Sequence, residues 1–216
     1  DIVETGVVWT EEGEVQPKFA AAPPVDSKEF RDWFGNSKVV DENGEPLVVY
    51  HGSDATFDIF SYDRMGERGT SEGRGFYFTD SKGVAKHYAK DMLLDVYLSI
   101  KKPLSDDSLT VTRDNLLSFI RELDTDGQGY LSNWGDVSYE GYDTVLHNAV
   151  DAEIEHAEND VDLVNGIMGA DISDEITFQK TLKNTTGYDG IVSKWLDPEG
   201  NKRVNIFVAF LPEQIK

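Results

Sequence analysis

Leu47-Val48-Val49-Tyr50-His51-Gly52-Ser53 and Gly75-Phe76-Tyr77-Phe78-Thr79-Asp80 are the two stretches that decide how this chain is read. Both are runs of β-branched and aromatic residues, which suit half-buried pleated strands. The first follows Val39-Val40 and the polar stretch Asp41 to Gly44, so it reads as the return strand of a hairpin whose Asn43-Gly44 pair supplies positive φ. His51-Gly52-Ser53 therefore falls at a strand end. The second stretch runs into Thr79-Asp80-Ser81, which can cap a helix bearing Val84, Ala85, Tyr88 and Ala89. Tyr88 lies eleven residues beyond Tyr77.

Upstream, Asp26 and Glu29 have capping-box spacing, and Phe30, Trp33 and Phe34 make a short amphipathic helix that stops at Gly35. Residues 1–25 are polar, aperiodic and end in an Ala-Pro run, so they read as a linker or N-terminal extension, with the domain spanning 26–216. Downstream, Val96 to Ile100 reads as a third strand. Helices follow at Leu116 to Leu123, Tyr142 to Glu158, Val161 to Met168 and Glu175 to Leu182, and strands return at Gly190 to Ser193 and Val204 to Phe210 around a turn through Asp197-Pro198-Glu199-Gly200-Asn201. Strand-rich ends thus flank a helical insertion at about 104–185. From Glu122 to Gln179 there are 15 acidic residues and no Lys or Arg. Such a block is either a solvated face that keeps the protein soluble or a docking face for a basic partner.

The chain has 216 residues, ample for a buried core, and no run approaches the roughly 20 apolar residues of a membrane-spanning helix. Its 20 Lys and Arg against 41 Asp and Glu give a formal charge of −21, which repels phosphate backbones and anionic lipid. Nucleic acid is disfavoured as a partner on charge, and a membrane is not expected. The absence of cysteine excludes disulfides, thiolate nucleophiles and Cys-based zinc sites. No basic region with an apolar core opens the sequence, which starts at Asp1, so it reads as a segment of a longer protein of unknown localisation.

Metal chemistry finds little support. His51, His87, His147 and His156 include no i, i+4 pair. Asp124-Thr125-Asp126-Gly127-Gln128-Gly129 imitates the start of an EF-hand loop, but its twelfth position is Gly135 where a bidentate Glu is needed, and a Gly-rich acidic turn explains the same residues. No nucleophile elbow or Walker loop occurs, and Gly73-Arg74-Gly75 precedes its strand, the wrong order for a dinucleotide turn.

The two opening stretches, with Tyr88, resemble the ADP-ribosyltransferases of the His-Tyr-Glu class, which includes diphtheria toxin and the poly(ADP-ribose) polymerases. They are most similar to ADP-ribosyltransferase-like domains of phage polyvalent and MuF-type toxin proteins. Phe30 to Val40 leading to Val49-Tyr50-His51-Gly52 resembles that family's opening, and Gly187-Tyr188-Asp189-Gly190-Ile191 with Pro212-Glu213-Gln214-Ile215-Lys216 resembles its close. The resemblance covers about residues 27–103 and 186–216. It implies an α+β ADP-ribosyltransferase fold, a split antiparallel β-sandwich of two small packed sheets around an NAD cleft with an acidic helical insertion. The implied activity is pentosyl transfer from NAD as co-substrate, without metal, to an unidentified acceptor with release of nicotinamide, as in a phage- or toxin-associated effector. A protein acceptor is favoured.

The resemblance also assigns roles. His51 matches the histidine that hydrogen-bonds a ribose hydroxyl of NAD, Gly52 the residue whose backbone pairs with the nicotinamide carboxamide, and Ser53 the small polar residue after it. Tyr77 matches the tyrosine stacking on nicotinamide, and Tyr88 an aromatic on the opposite face. Stacking and backbone bonds can hold a flat leaving group without a charged residue. The class glutamate, however, is replaced: anchoring on Pro212 to Lys216 puts Ile206 at that position, and a one-residue slip would offer Asn205, which strand alternation turns to the other face. Neither is a carboxylate, and Ala85 stands where the polymerases keep a serine. A hydrophobic third residue implies transfer of a single ADP-ribose, with an acid borrowed from the target; the alternative is a catalytically silent module that binds NAD or a protein partner through the same cleft and the acidic insertion. By position alone, Arg68 and Arg74, in the Gly-rich segment between the two motif strands, are the best-placed cations for the NAD pyrophosphate, and a surface loop with ordinary solvated charges explains them equally well. Taken singly, a strand-end His is a capping or surface residue and a strand Tyr a core residue; their joint spacing with the flanking motifs is what favours a site.

Overall fold

The computed structural model describes residues 7–9, 15–17, 23–62, 73–170 and 175–216. Within the stretch read as a linker, β1 (Val7–Trp9) and β2 (Val15–Pro17) pair antiparallel as a separate two-stranded sheet. β3 (Val49–Ser53), β4 (Phe76–Thr79), β5 (Met92–Val96), β6 (Pro103–Ser105), β7 (Gly190–Leu196) and β8 (Arg203–Ala209) form one sheet in the order β5-β3-β4-β8-β7-β6. All neighbours in it are antiparallel except β6 and β7. A parallel pair demands a long crossover. Here the crossover is the whole helical block: α3 (Arg113–Leu123), α4 (Val137–Glu140), α5 (Tyr142–His156), α6 (Asp160–Ala170) and α7 (Glu175–Thr186).

The α+β class expected from the sequence is the observed one. The two packed sheets of that expectation are instead a single six-stranded sheet, and the split lies inside it. β3 and β4 share one pair, Tyr50 with Thr79, and then part, while β3 stays paired to β5 along its full length.

Strand alternation gives the sheet two buried faces. Phe76, Phe78, Phe207 and Ala209 enter one core with Val39, Val49, Phe60, Leu98 and Ile100. Val204, Ile206, Val208 and Phe210 enter the other, larger core with the helical block. That block presents Leu116, Phe119 and Ile120 from α3 and Val145, Leu146, Ala149 and Val150 from α5. Arg113 pairs with Asp151 and Arg121 with Asp143, so two exposed acids of α5 take their cations from α3, just upstream of the Lys- and Arg-free run. Among the described residues no helix is long and apolar enough to cross a membrane.

Local chemistry adjusts several expected boundaries. α1 (Lys28–Phe34) is capped by Ser27, whose Oγ accepts the Phe30 amide at 3.1 Å, and not by Asp26. In the turn before β3, Gly44 alone has positive φ (81°), while Asp41 accepts the amides of Asn43 and Glu45. The third strand is β5, four residues ahead of its expected start at Val96. The stretch after it is extended but holds the C-terminus, through Tyr97 with Lys216 and the Ser99 amide on the Gln214 carbonyl. Asp124 of the EF-hand-like turn spends its carboxylate on the amides of Gly129 (3.0 Å) and Leu131 (2.7 Å), so it closes a turn.

Candidate active site

β3 and β4 run out of register partners at the residues the sequence singled out. Continuing the Tyr50–Thr79 register across the opening sets Gly52 opposite Tyr77. Both belong to the face that carries the helical block, because Tyr77 packs against that core. Glycine at 52 is required by space: a Cβ there would lie 2.0 Å from the Ala85 carbonyl oxygen and 2.9 Å from the Ala89 nitrogen. α2 (Lys82–Tyr88), capped by the Ser81 hydroxyl, therefore rests its last turn directly on the strand end. Ser53 completes the junction, its carbonyl accepting the amides of Lys90 and Asp91 at 3.1 Å and its hydroxyl accepting that of Ala55. Tyr88, at the end of the same helix, is 43% exposed, with its ring perpendicular to that of His87 at 5.4 Å between centroids.

His51 points to the opposite face, where Phe57, Phe60 and Phe78 surround its ring at 5.1–5.9 Å between centroids. Its Nδ1 spans the opening and lies 2.7 Å from the Tyr77 carbonyl oxygen. That oxygen faces the gap where a β3 amide would sit in an unbroken ladder, so the imidazole substitutes for the missing backbone donor. A carbonyl can only accept, which assigns the proton to Nδ1 and leaves Nε2 a lone pair able to accept from a hydroxyl. Burial holds the imidazole pKa below its ordinary value, with the Tyr77 bond opposing in part, so the neutral form is favoured at neutral pH.

Tyr77 donates its phenol to the Gly73 carbonyl. Gly73-Arg74-Gly75, the segment leading into β4, is tightly packed. A Cβ on Gly73 would meet Ile191 Cδ1 at 2.8 Å, and one on Gly75 would meet Val208 Cγ1 at 2.3 Å. Both glycines have positive φ as well. Arg74 lies with its guanidinium carbon 6.0 Å from the Phe178 ring centroid, and its carbonyl accepts from Gln179 Nε2. Arg68 lies outside the described residues.

Ile206 pairs with Thr79 on one side and Ser193 on the other, which puts it on the Tyr77 face. It is 5% exposed within the larger core. Asn205 turns to the His51 face, where its amide and Nδ2 both donate to the Asp80 carboxylate, at 3.1 and 2.6 Å. Gly52, Tyr77 and Ile206 thus share a face beside α2, His51 is tied to them through a main-chain carbonyl, and Asn205 is turned away.

Sequence reasoning did not identify three neighbours. Thr79 and Ser193 flank Ile206, and the Ser193 Oγ is buried without a hydrogen-bond partner among the described residues. Period-two counting from Tyr77 finds Thr79; only the cross-strand register finds Ser193. Gln179 reaches Arg74 across 105 residues, and no local pattern signals it. Among the described residues no group of three or more His, Asp or Glu side chains is arranged to hold a metal ion.

A family model described as ADP-Ribosyltransferase in polyvalent proteins matches residues 41–216. The match includes both motif strands, the entire helical crossover and the C-terminal motif, and it starts after α1. No curated protein and no solved structure gives a significant match.

Proposed function

The chain belongs to the ADP-ribosyltransferases of polyvalent proteins, and on that premise we propose that it transfers a single ADP-ribose from NAD to an acceptor, preferably a protein, as an effector domain of a phage or toxin system. Residues 26–216 would form the transferase domain and 1–25 its N-terminal extension. Nicotinamide would sit at the opening between β3 and β4, stacked by Tyr77 and Tyr88, with its carboxamide on the Gly52 backbone. His51 would accept a ribose hydroxyl at Nε2, and Arg74, with Arg68, would face the pyrophosphate. Loss of nicotinamide breaks the C–N glycosidic bond with the electron pair leaving on the ring nitrogen. The acceptor then bonds the anomeric carbon and gives up its proton. The observation that carries this reading is the His51 Nδ1 contact with the Tyr77 carbonyl at the point where the two strands part.

Incubation with labelled NAD and a lysate of candidate target cells tests it. Label transfer or nicotinamide release should clearly exceed that of a His51→Ala, Tyr77→Ala double variant, and equal signals would refute transfer.

A second reading, a module that binds NAD or a basic partner without turnover, is favoured by the buried Ile206. A carboxylate aimed at developing positive charge is worth a few kcal/mol of barrier, and isoleucine contributes none of it. Ile206→Glu distinguishes the two. The new carboxylate would lie beside the Ser193 hydroxyl, an available donor. Transfer chemistry predicts a gain in NAD hydrolysis of about 100-fold; no gain in a variant that still folds supports the silent module.

A further inference from the structure

The phenol of Tyr77 is anchored to a carbonyl in a segment that the helical crossover holds. Tyr77 donates to Gly73, four residues back on the same segment. The next carbonyl, that of Arg74, accepts from Gln179 on α7. Gln179 is 1% exposed, and beside it Phe178 packs edge-on against Phe119 of α3 at 5.2 Å while facing the Arg74 guanidinium. The Gly73 position also lies against Ile191 of β7 and Asn165 of α6. With glycine on both sides of Arg74, the segment has little side-chain bulk of its own to fix its path. Its course is set by what it is bonded to and packed on.

We propose that Gln179 is a positioning residue for Tyr77: by holding the Arg74 carbonyl it fixes the Gly73–Gly75 segment, and through the Gly73 carbonyl it sets the angle at which the Tyr77 ring meets nicotinamide. The position of the helical crossover is thereby felt at the ring, since α7 is packed on α3 and bonded to this segment. A buried amide that donates to a main-chain carbonyl is specific in direction, and a side chain of equal length without the N–H removes that bond. The inference rests on the reading of Tyr77 as the stacking ring, but part of its test is free of ligand.

The experiment compares the full chain with Gln179→Met, which keeps length and loses the donor. Amide hydrogen exchange without ligand should quicken about tenfold at residues 74–77 and stay unchanged in β5, and calorimetry should show the NAD dissociation constant rising about tenfold, with saturated turnover within twofold of the parent. Unchanged exchange at 74–77, or an unchanged NAD dissociation constant, overturns the proposal. Should the parent bind no NAD, the proposed function falls and the exchange result alone decides the coupling. Should Gln179→Met not fold, Tyr77→Phe cuts the same path from its other end; altered exchange at residues 178–180 supports the coupling and unaltered exchange there overturns it.

Discussion

His51 combines two constraints that its neighbours impose separately. The Tyr77 carbonyl fixes the proton on Nδ1, and the three phenylalanines around the ring disfavour its charged form. Because the folded pKa lies below the ordinary value near 6.5, the unfolded chain takes up the proton first as pH falls. The stability contributed by neutral His51 is therefore complete above about pH 6.5 and is lost as pH falls through the folded value. Imidazole NMR should show an Nδ1–H tautomer with a depressed midpoint, and His51→Ala should remove that part of the acid limb of the stability curve. A midpoint at or above the ordinary value would contradict the assignment. At this scale the sequence disclosed which residues to watch, since a His-Gly pair at a strand end and a Tyr at fixed spacing are local. It did not disclose that Tyr77 binds Gly73 or that Ile206 neighbours Ser193, because those contacts depend on tertiary packing and register.

The elements themselves were largely legible, since hydrophobic period and capping chemistry act within a few residues. α2, α3, α5 and the β7–β8 hairpin stand where their patterns put them. β5 was displaced because the Tyr97–Ile100 stretch is equally apolar, and only its pairing with the C-terminal segment separates it from a ladder strand. The closing motif turns out to be structural. Asp189, nearly buried between α7 and β7, accepts the Lys101 and Lys102 amides at 2.8–3.0 Å. Gln214 donates to the Ser99 and Asp189 carbonyls and accepts from the amides of Phe210 and Leu211. Asp189→Ala strands two main-chain donors and should cost about 2–4 kcal/mol of stability in denaturant titration. Asp189→Asn, which keeps an acceptor, should cost less. Equal stability of Asp189→Ala and the parent would show that the motif serves something other than the fold.

Across the whole molecule, one sheet carries the proposed site at an internal opening, and the long crossover demanded by its parallel β6–β7 pair supplies both the larger core and most of the net negative charge. The sequence showed the acidic block as a composition; that α7 within it reaches back to the segment preceding Tyr77 follows only from how the crossover packs on the sheet. The account centres on nicotinamide recognition at the β3–β4 opening, and a crystal structure of the protein soaked with NAD tests that most directly. It predicts the pyridine ring between Tyr77 and Tyr88, its carboxamide on the Gly52 main chain and a ribose hydroxyl at His51 Nε2. NAD bound elsewhere, with no ring entering between the two tyrosines, would contradict it.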